Sequence, residues 1–164
     1  MVSCDNWDLG CNGGILPFAW SYLKNTGIAT DECTPYVSGG GTVPTCSKTC
    51  TDGSAIKKYK CKSTTSASGV TAIQSEVFAN GPVETGFTVY EDFFSYKSGI
   101  YHYTTGDKAG GHAVKIVGWG SEGGVYYWIV ANSWGTSWGM DGFFKIEWGQ
   151  CGIDDTAYGC TPQL

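Results

Sequence analysis

The spacing of hydrophobic positions changes near residue 82. Before it, apolar side chains recur at helical spacing in two short stretches. Phe18 with Tyr22, and Ala19 with Leu23, lie on neighbouring faces of one helix. Pro17 sits in its first turn, where a missing N–H costs nothing, and Gly27 supplies a left-handed cap. Ile73 and Val77 mark a second helix, roughly 71–79, which Gly69 precedes and Asn80-Gly81-Pro82 ends. Beyond it, β-branched and aromatic runs bounded by Gly take over. They are Val83–Tyr90, Gly99–Tyr103, His112–Trp119, Val125–Ala131 and Phe143–Trp148. Five such strands predict an antiparallel barrel or sheet. Residues 28–70 carry the breakers Pro35, Gly39-Gly40-Gly41 and Pro44 together with four cysteines, so this stretch reads as irregular and ordered by crosslinks.

Composition narrows the class. Hydrophobic residues make up 41% of the 164 and charged residues 15%, enough to bury a core. Seven Trp and ten Tyr suit a core that borders a binding cleft, because each ring joins an apolar body to a polar edge. A net charge of −5 leaves no basic stripe, which excludes nucleic acid as the expected partner. No apolar run approaches the ~20 residues that span a bilayer, so no membrane is expected. Eight cysteines favour disulfides and an oxidising compartment. A zinc reading competes, since Cys46 and Cys50 are four apart, but two His and no paired C-x2-C element leave it the weaker. Met1 to Asp5 has neither the basic start nor the apolar stretch of an export signal. That conflict with the disulfide chemistry is resolved if Met1 is not the natural start, which is the expectation here.

Three patches carry candidate chemistry. Gly110-Gly111-His112-Ala113-Val114 opens a strand, Ala131-Asn132-Ser133-Trp134-Gly135 follows the next one, and Gly10-Cys11-Asn12-Gly13-Gly14 leads into the first helix. A cysteine nucleophile works as thiolate, and a nearby imidazole lowers its pKa by ion pairing. The imidazole needs one tautomer and one orientation, which an Asn side-chain oxygen can impose without a charge. His112 and Asn132 are 20 residues apart, and adjacent strands joined by the 119–125 turn bring such positions together. Trp134 stands where it can shield a His–Asn bond from water. Each patch alone has a plainer reading: a strand-end His is usually structural, and Asn-Ser-Trp-Gly is a turn. His102, between Tyr101 and Tyr103, reads as structural or exposed.

Taken together and in order, the patches resemble the papain-like cysteine peptidases, in which the Gly-His-Ala patch carries the catalytic His and Asn-Ser-Trp-Gly the orienting Asn. Gly10–Gly14, Asn80–Val83, Gly110–Gly120, Tyr127–Gly142 and Cys151–Ile153 all match. Within that family the chain is similar to cathepsin B through Asn80-Gly81-Pro82-Val83-Glu84, Tyr96-Lys97-Ser98-Gly99-Ile100-Tyr101, Cys46-Ser47-Lys48 and Cys33-Thr34-Pro35-Tyr36. The resemblance implies an α+β, partial papain-like cysteine proteinase fold. Residues 1–50 would form the later part of a left-hand helical half with a disulfide-rich loop, and residues 51–164 the right-hand antiparallel β-barrel half with the C-terminal segment.

The resemblance also implies the chemistry: peptide hydrolysis through a thioester, with His112 as base and acid, Asn132 orienting it, Trp134 shielding the pair, and no metal or cofactor. The nucleophile motif Cys-Gly-Ser-Cys-Trp and the upstream oxyanion-hole Gln are absent from these residues, so the chain alone is expected to be inactive. Cathepsin B carries a long loop whose His pair grips the substrate's C-terminus. Here only Val37–Thr45 precedes Cys46, with no His, which implies endopeptidase access. The second specificity pocket would be lined by Ile15, Leu16, Gly86, Ala113 and Thr156. Thr156 stands where cathepsin B has an acid that accepts Arg, so hydrophobic side chains are expected instead. Gly13, Gly14 and Gly111 would offer backbone groups to the substrate's main chain.

By resemblance, Cys4 pairs with Cys46 and Cys33 with Cys50, while Cys11 is left unpaired. Cys61 is placed with Cys160 on the expectation that the chain end lies beside it, leaving Cys151 free. Implied partners are a peptide or protein substrate, a missing N-terminal segment or light chain, and a propeptide or cystatin-like inhibitors. The implied location is lysosomal, vacuolar or secreted. Two rivals remain open: a non-catalytic peptide- or inhibitor-binding member, and a secreted carbohydrate-binding module suggested by the Trp, Tyr and Gly content.

Overall fold

The computed structural model of the protein describes residues 1–163. They divide into two compact units. The first comprises Met1–Thr64 with the described residues from Cys160, and the second comprises Thr65–Gly159.

The first unit is thinly packed. Its helix α1 spans Leu16–Asn25, with Pro17 in the first turn, and it buries no side chain fully. Gly27, at φ 79°, lets the chain turn off the helix while its N–H bonds the Tyr22 carbonyl at 3.0 Å. Between Ala29 and Lys60 the backbone is mostly irregular and tied by crosslinks. The disulfides are Cys4–Cys46, Cys33–Cys50 and Cys61–Cys160. Cys46 and Cys50 are thus engaged with different partners, which removes the zinc alternative for that pair. Each bridge closes a loop and so restricts the unfolded chain, an economical source of order where apolar burial is scarce.

The second unit holds the apolar core. Helix α2, Val70–Asn80, directs Ile73 and Val77 inward, as their four-residue spacing predicts. Strand β2, Val83–Tyr90, alternates strictly: Val83, Thr85, Phe87 and Val89 are buried, and the residues between them are half-exposed. Strand β4, Lys108–Glu122, pairs antiparallel with β2 and with β5, Val125–Ala131. Strand β6, Phe143–Glu147, pairs antiparallel with β5. Trp128, Val130, Ile116, Phe144, Ile146, Phe93 and Ile153 are fully enclosed by these elements.

The expectation of five antiparallel strands needs amendment. Two further strands are β1, Cys61–Ala67, and β7, Ala157–Pro162, which both cross the division between the units. β1 is polar and mostly exposed, so it carries no alternation, and β7 contains Gly and Pro. Strand β3 shrinks to Ile100–Tyr101 and runs parallel to β6. The sheet therefore has seven strands, ordered β1-β7-β2-β4-β5-β6-β3.

Candidate active site

His112 belongs to β4 and stands opposite Phe87 of β2. Its ring lies 6.0 Å from that of Phe87 on the inward side of the pair. Asn132 leaves the end of β5, held by its own N–H to the Gly142 carbonyl at 2.9 Å. The β4–β5 pairing carries the two residues into contact: His112 Nε2 and Asn132 Oδ1 are 2.8 Å apart.

The direction of that bond follows from a third residue. The Ser133 N–H donates to the same Asn132 Oδ1 at 2.8 Å. An amide nitrogen at that position would meet the Ser133 N–H donor to donor, so the oxygen belongs there and accepts from both. Nε2 therefore carries the proton, and Nδ1 of the neutral ring is left as a bare acceptor. Ser133 does not stand out in the sequence. Its contribution is a backbone N–H, which every residue type but proline possesses, so no side-chain signal exists to find it.

Trp134 stacks on the imidazole, with centroids 5.0 Å apart and planes 28° apart. The Asn132–Gly142 loop that presents it is folded by Trp138 N–H to Gly135 O and Gly142 N–H to Trp138 O. Gly139 is required here: at φ 60° it passes so close to the Phe143 carbonyl that a Cβ would lie 2.6 Å from that oxygen. The Asn132 Nδ2 is buried without a partner among the described residues.

The other expected substrate-binding positions fall into two sets. In the second unit, Gly86 pairs with Ala113, and Gly111 with Thr88, across β2 and β4. Alternation puts these small residues on the face away from the core, with open space where Gly111 would carry a Cβ. Thr156 lies beside β7. Its hydroxyl bonds the Asp155 carbonyl at 2.7 Å and meets the Ser68 hydroxyl at 3.1 Å. Buried Thr85 holds that segment by its hydroxyl, 2.8 Å from Ile153 O and 3.0 Å from Thr156 O. In the first unit, Gly13, Gly14, Ile15 and Leu16 form one continuous stretch entering α1. The Asp8 carboxylate accepts the Ile15 N–H at 2.8 Å and fills the space a Cβ on Gly14 would need.

Two cysteines are free among the described residues, exposed Cys11 and half-buried Cys151. Burial, and after it the Asp92 carboxylate, pushes the Cys151 thiol up, which disfavours the thiolate. His102 is exposed. No group of three or more His, Cys, Asp or Glu among the described residues is placed to hold a metal ion. No helix among them is long and apolar enough to cross a membrane.

Comparison with known proteins gives one consistent result. The profile described as papain family cysteine protease matches residues 1–161. Cathepsin B-like CP3 of Giardia intestinalis is 46% identical, over 97% of this chain and 55% of that protein. Cathepsin B-like protease 1 of Arabidopsis thaliana is 45% identical, over 93% and 45% respectively. Among solved structures, procathepsin B S9 of Trypanosoma congolense superposes with a TM-score of 0.93 at 41% identity, covering 99% of this chain and 59% of that one. The chain thus spans about half the length of the curated relatives it matches.

Proposed function

The chain belongs to the papain family of cysteine proteases, and within it is similar to the cathepsin B-like members; from that premise we propose that these residues supply the base-and-orienter half of an endopeptidase site whose nucleophilic cysteine lies outside them. The observation that carries this reading is the 2.8 Å contact of His112 Nε2 with Asn132 Oδ1, its direction fixed by the Ser133 N–H.

The chemistry follows from the bare Nδ1. It takes the thiol proton of the incoming cysteine, giving thiolate and imidazolium. The thiolate attacks the scissile carbonyl carbon, and the Nδ1 proton passes to the departing amine as the C–N bond breaks. Water, deprotonated by the same nitrogen, then attacks the thioester carbon; the C–S bond breaks, the acid leaves, and the sulfur returns as thiolate beside the imidazolium. Asn132 keeps Nε2–H occupied throughout, so only one ring nitrogen exchanges protons. Being neutral, it orients the ring without pinning the positive charge as a carboxylate would. Trp134 keeps competing water from the Nε2–H bond.

Thr156 offers no charge to a basic side chain, so the second specificity pocket accepts apolar ones. Gly111 leaves its backbone open for main-chain pairing with a peptide. The Val37–Thr45 stretch is short and carries no His to grip a substrate's C-terminus, which favours internal cleavage. The segment that brings the cysteine is also the partner for the exposed apolar side chains Trp7, Leu9 and Phe18 of the first unit. Propeptides and cystatin-like inhibitors are the expected protein ligands. Procathepsin forms recur among similar solved structures, the digestive procathepsin L2 of Tenebrio molitor among them. A lysosomal, vacuolar or secreted location suits three disulfides.

Mutation in a protein that joins these residues to a nucleophile-bearing segment tests the roles. H112A should lower kcat by at least ~10³-fold, the order seen when a triad base is lost. N132A should lower kcat as well, but by less than H112A does, because an orienting partner positions the base without itself moving the proton. Peptide hydrolysis indifferent to H112A would remove the reading.

A further inference from the structure

Two rings lie nearly parallel to the Trp134 indole. One is His112, and the other is Phe94, at 5.5 Å with planes 19° apart. Phe93 and Trp138 meet the same indole edge-on, at 5.5 and 5.1 Å. Phe94 sits in the short 3-10 turn Glu91–Ser95 that follows β2. It is 54% exposed, whereas its neighbour Phe93 is fully buried. The core therefore closes on Phe93 and does not need the Phe94 ring.

The backbone of Phe94 is tied to the same loop as its ring. Trp138 Nε1–H donates to the Phe94 carbonyl at 3.1 Å. The turn thus grips the Asn132–Gly142 loop twice, by a carbonyl on Trp138 and by a ring on Trp134. Trp134 is only half-buried, so edge contacts alone leave its plane free to tilt. A near-parallel ring removes that freedom, since aromatic pairs gain from offset stacking beyond the area they bury.

We propose that Phe94 is a positioning residue for His112, acting through Trp134. It holds the indole parallel to the imidazole, and that plane keeps Nε2–H aimed at Asn132 Oδ1. The inference rests on the reading of His112 as the base, and its test separates the two.

The experiment is side-chain nitrogen NMR on protein labelled with 15N-histidine, with exposed His102 as internal reference. In the unsubstituted protein one His112 state is expected, Nε2 protonated and Nδ1 bare. In F94S the ratio of that state to the other ring states should fall roughly two- to tenfold, the equilibrium range of one aromatic pair. F94Y, which keeps a stacking ring, should retain it. An F94S spectrum identical to that of the unsubstituted protein overturns the role of Phe94 and leaves the base reading intact. Cooperative unfolding lost in F94S also overturns it, because the ring would then belong to the core. A His112 ring protonated at Nδ1 in the unsubstituted protein overturns the base reading itself.

Discussion

His112 and Asn132 were legible as a pair because each stands in a run of residue types that a peptide-cleaving site requires, at the ends of predicted neighbouring strands. What sequence could not supply was direction. The tautomer follows from the Ser133 N–H, and the stack on Trp134 from Phe94, a ring whose sequence neighbours give no hint of its role. Thr156 belongs to the same scale. Its hydroxyl is committed to the Asp155 carbonyl and the Ser68 hydroxyl, and on the proposed reading it gives the second specificity pocket an uncharged floor. T156E in an assembled enzyme should therefore raise kcat/KM for substrates with Arg at the second position over those with Leu by about 10-fold or more, the order expected when a carboxylate and a guanidinium pair. Unchanged selectivity in paired kinetic assays would mean that Thr156 does not line that pocket.

Both helices were visible because Pro17, Gly27 and Gly69 punctuate them, and Ile73 and Val77 set the spacing of the second. Strands β2 and β5 kept their expected limits, since their sequences are dense in β-branched and aromatic residues. β1 and β7 were missed for the opposite reason: polar Ser and Thr in one, and Gly and Pro in the other, hide the alternation. The turn after β2 is held by polar contacts as well as by the buried Phe93 ring. Burial raises the Asp92 carboxyl, but hydrogen bonds from Tyr101, Thr104 and Thr105 outweigh it and hold the group below the usual carboxylate range. Tyr101 is pushed up in turn, by burial first and then by its bond to Asp92. A carboxyl whose folded pKa lies below its unfolded value of ~3.9 stabilises the fold above that pH and ceases to do so as pH falls through the folded value. Thermal melts from pH 6 downward should show this loss below about pH 4. D92N should melt lower at pH 6 and lack that acid-limb increment. Parallel acid limbs for the two proteins would contradict the assignment.

At the scale of the molecule, composition pointed to a charge-poor, cysteine-rich protein with a real core, and that core is confined to the second unit. Among the described residues the first unit buries one apolar side chain, Cys61, and otherwise depends on its disulfides. On this view a base held ready in these residues awaits a thiol from elsewhere. The most direct measurement is turnover of a dipeptidyl fluorogenic substrate by this chain alone, and again after a family-type nucleophile segment is joined to it. No turnover is predicted in the first assay, and cysteine-dependent turnover in the second. Hydrolysis by these residues unaided, or a joined protein that stays inert although folded, would contradict a base waiting for its nucleophile.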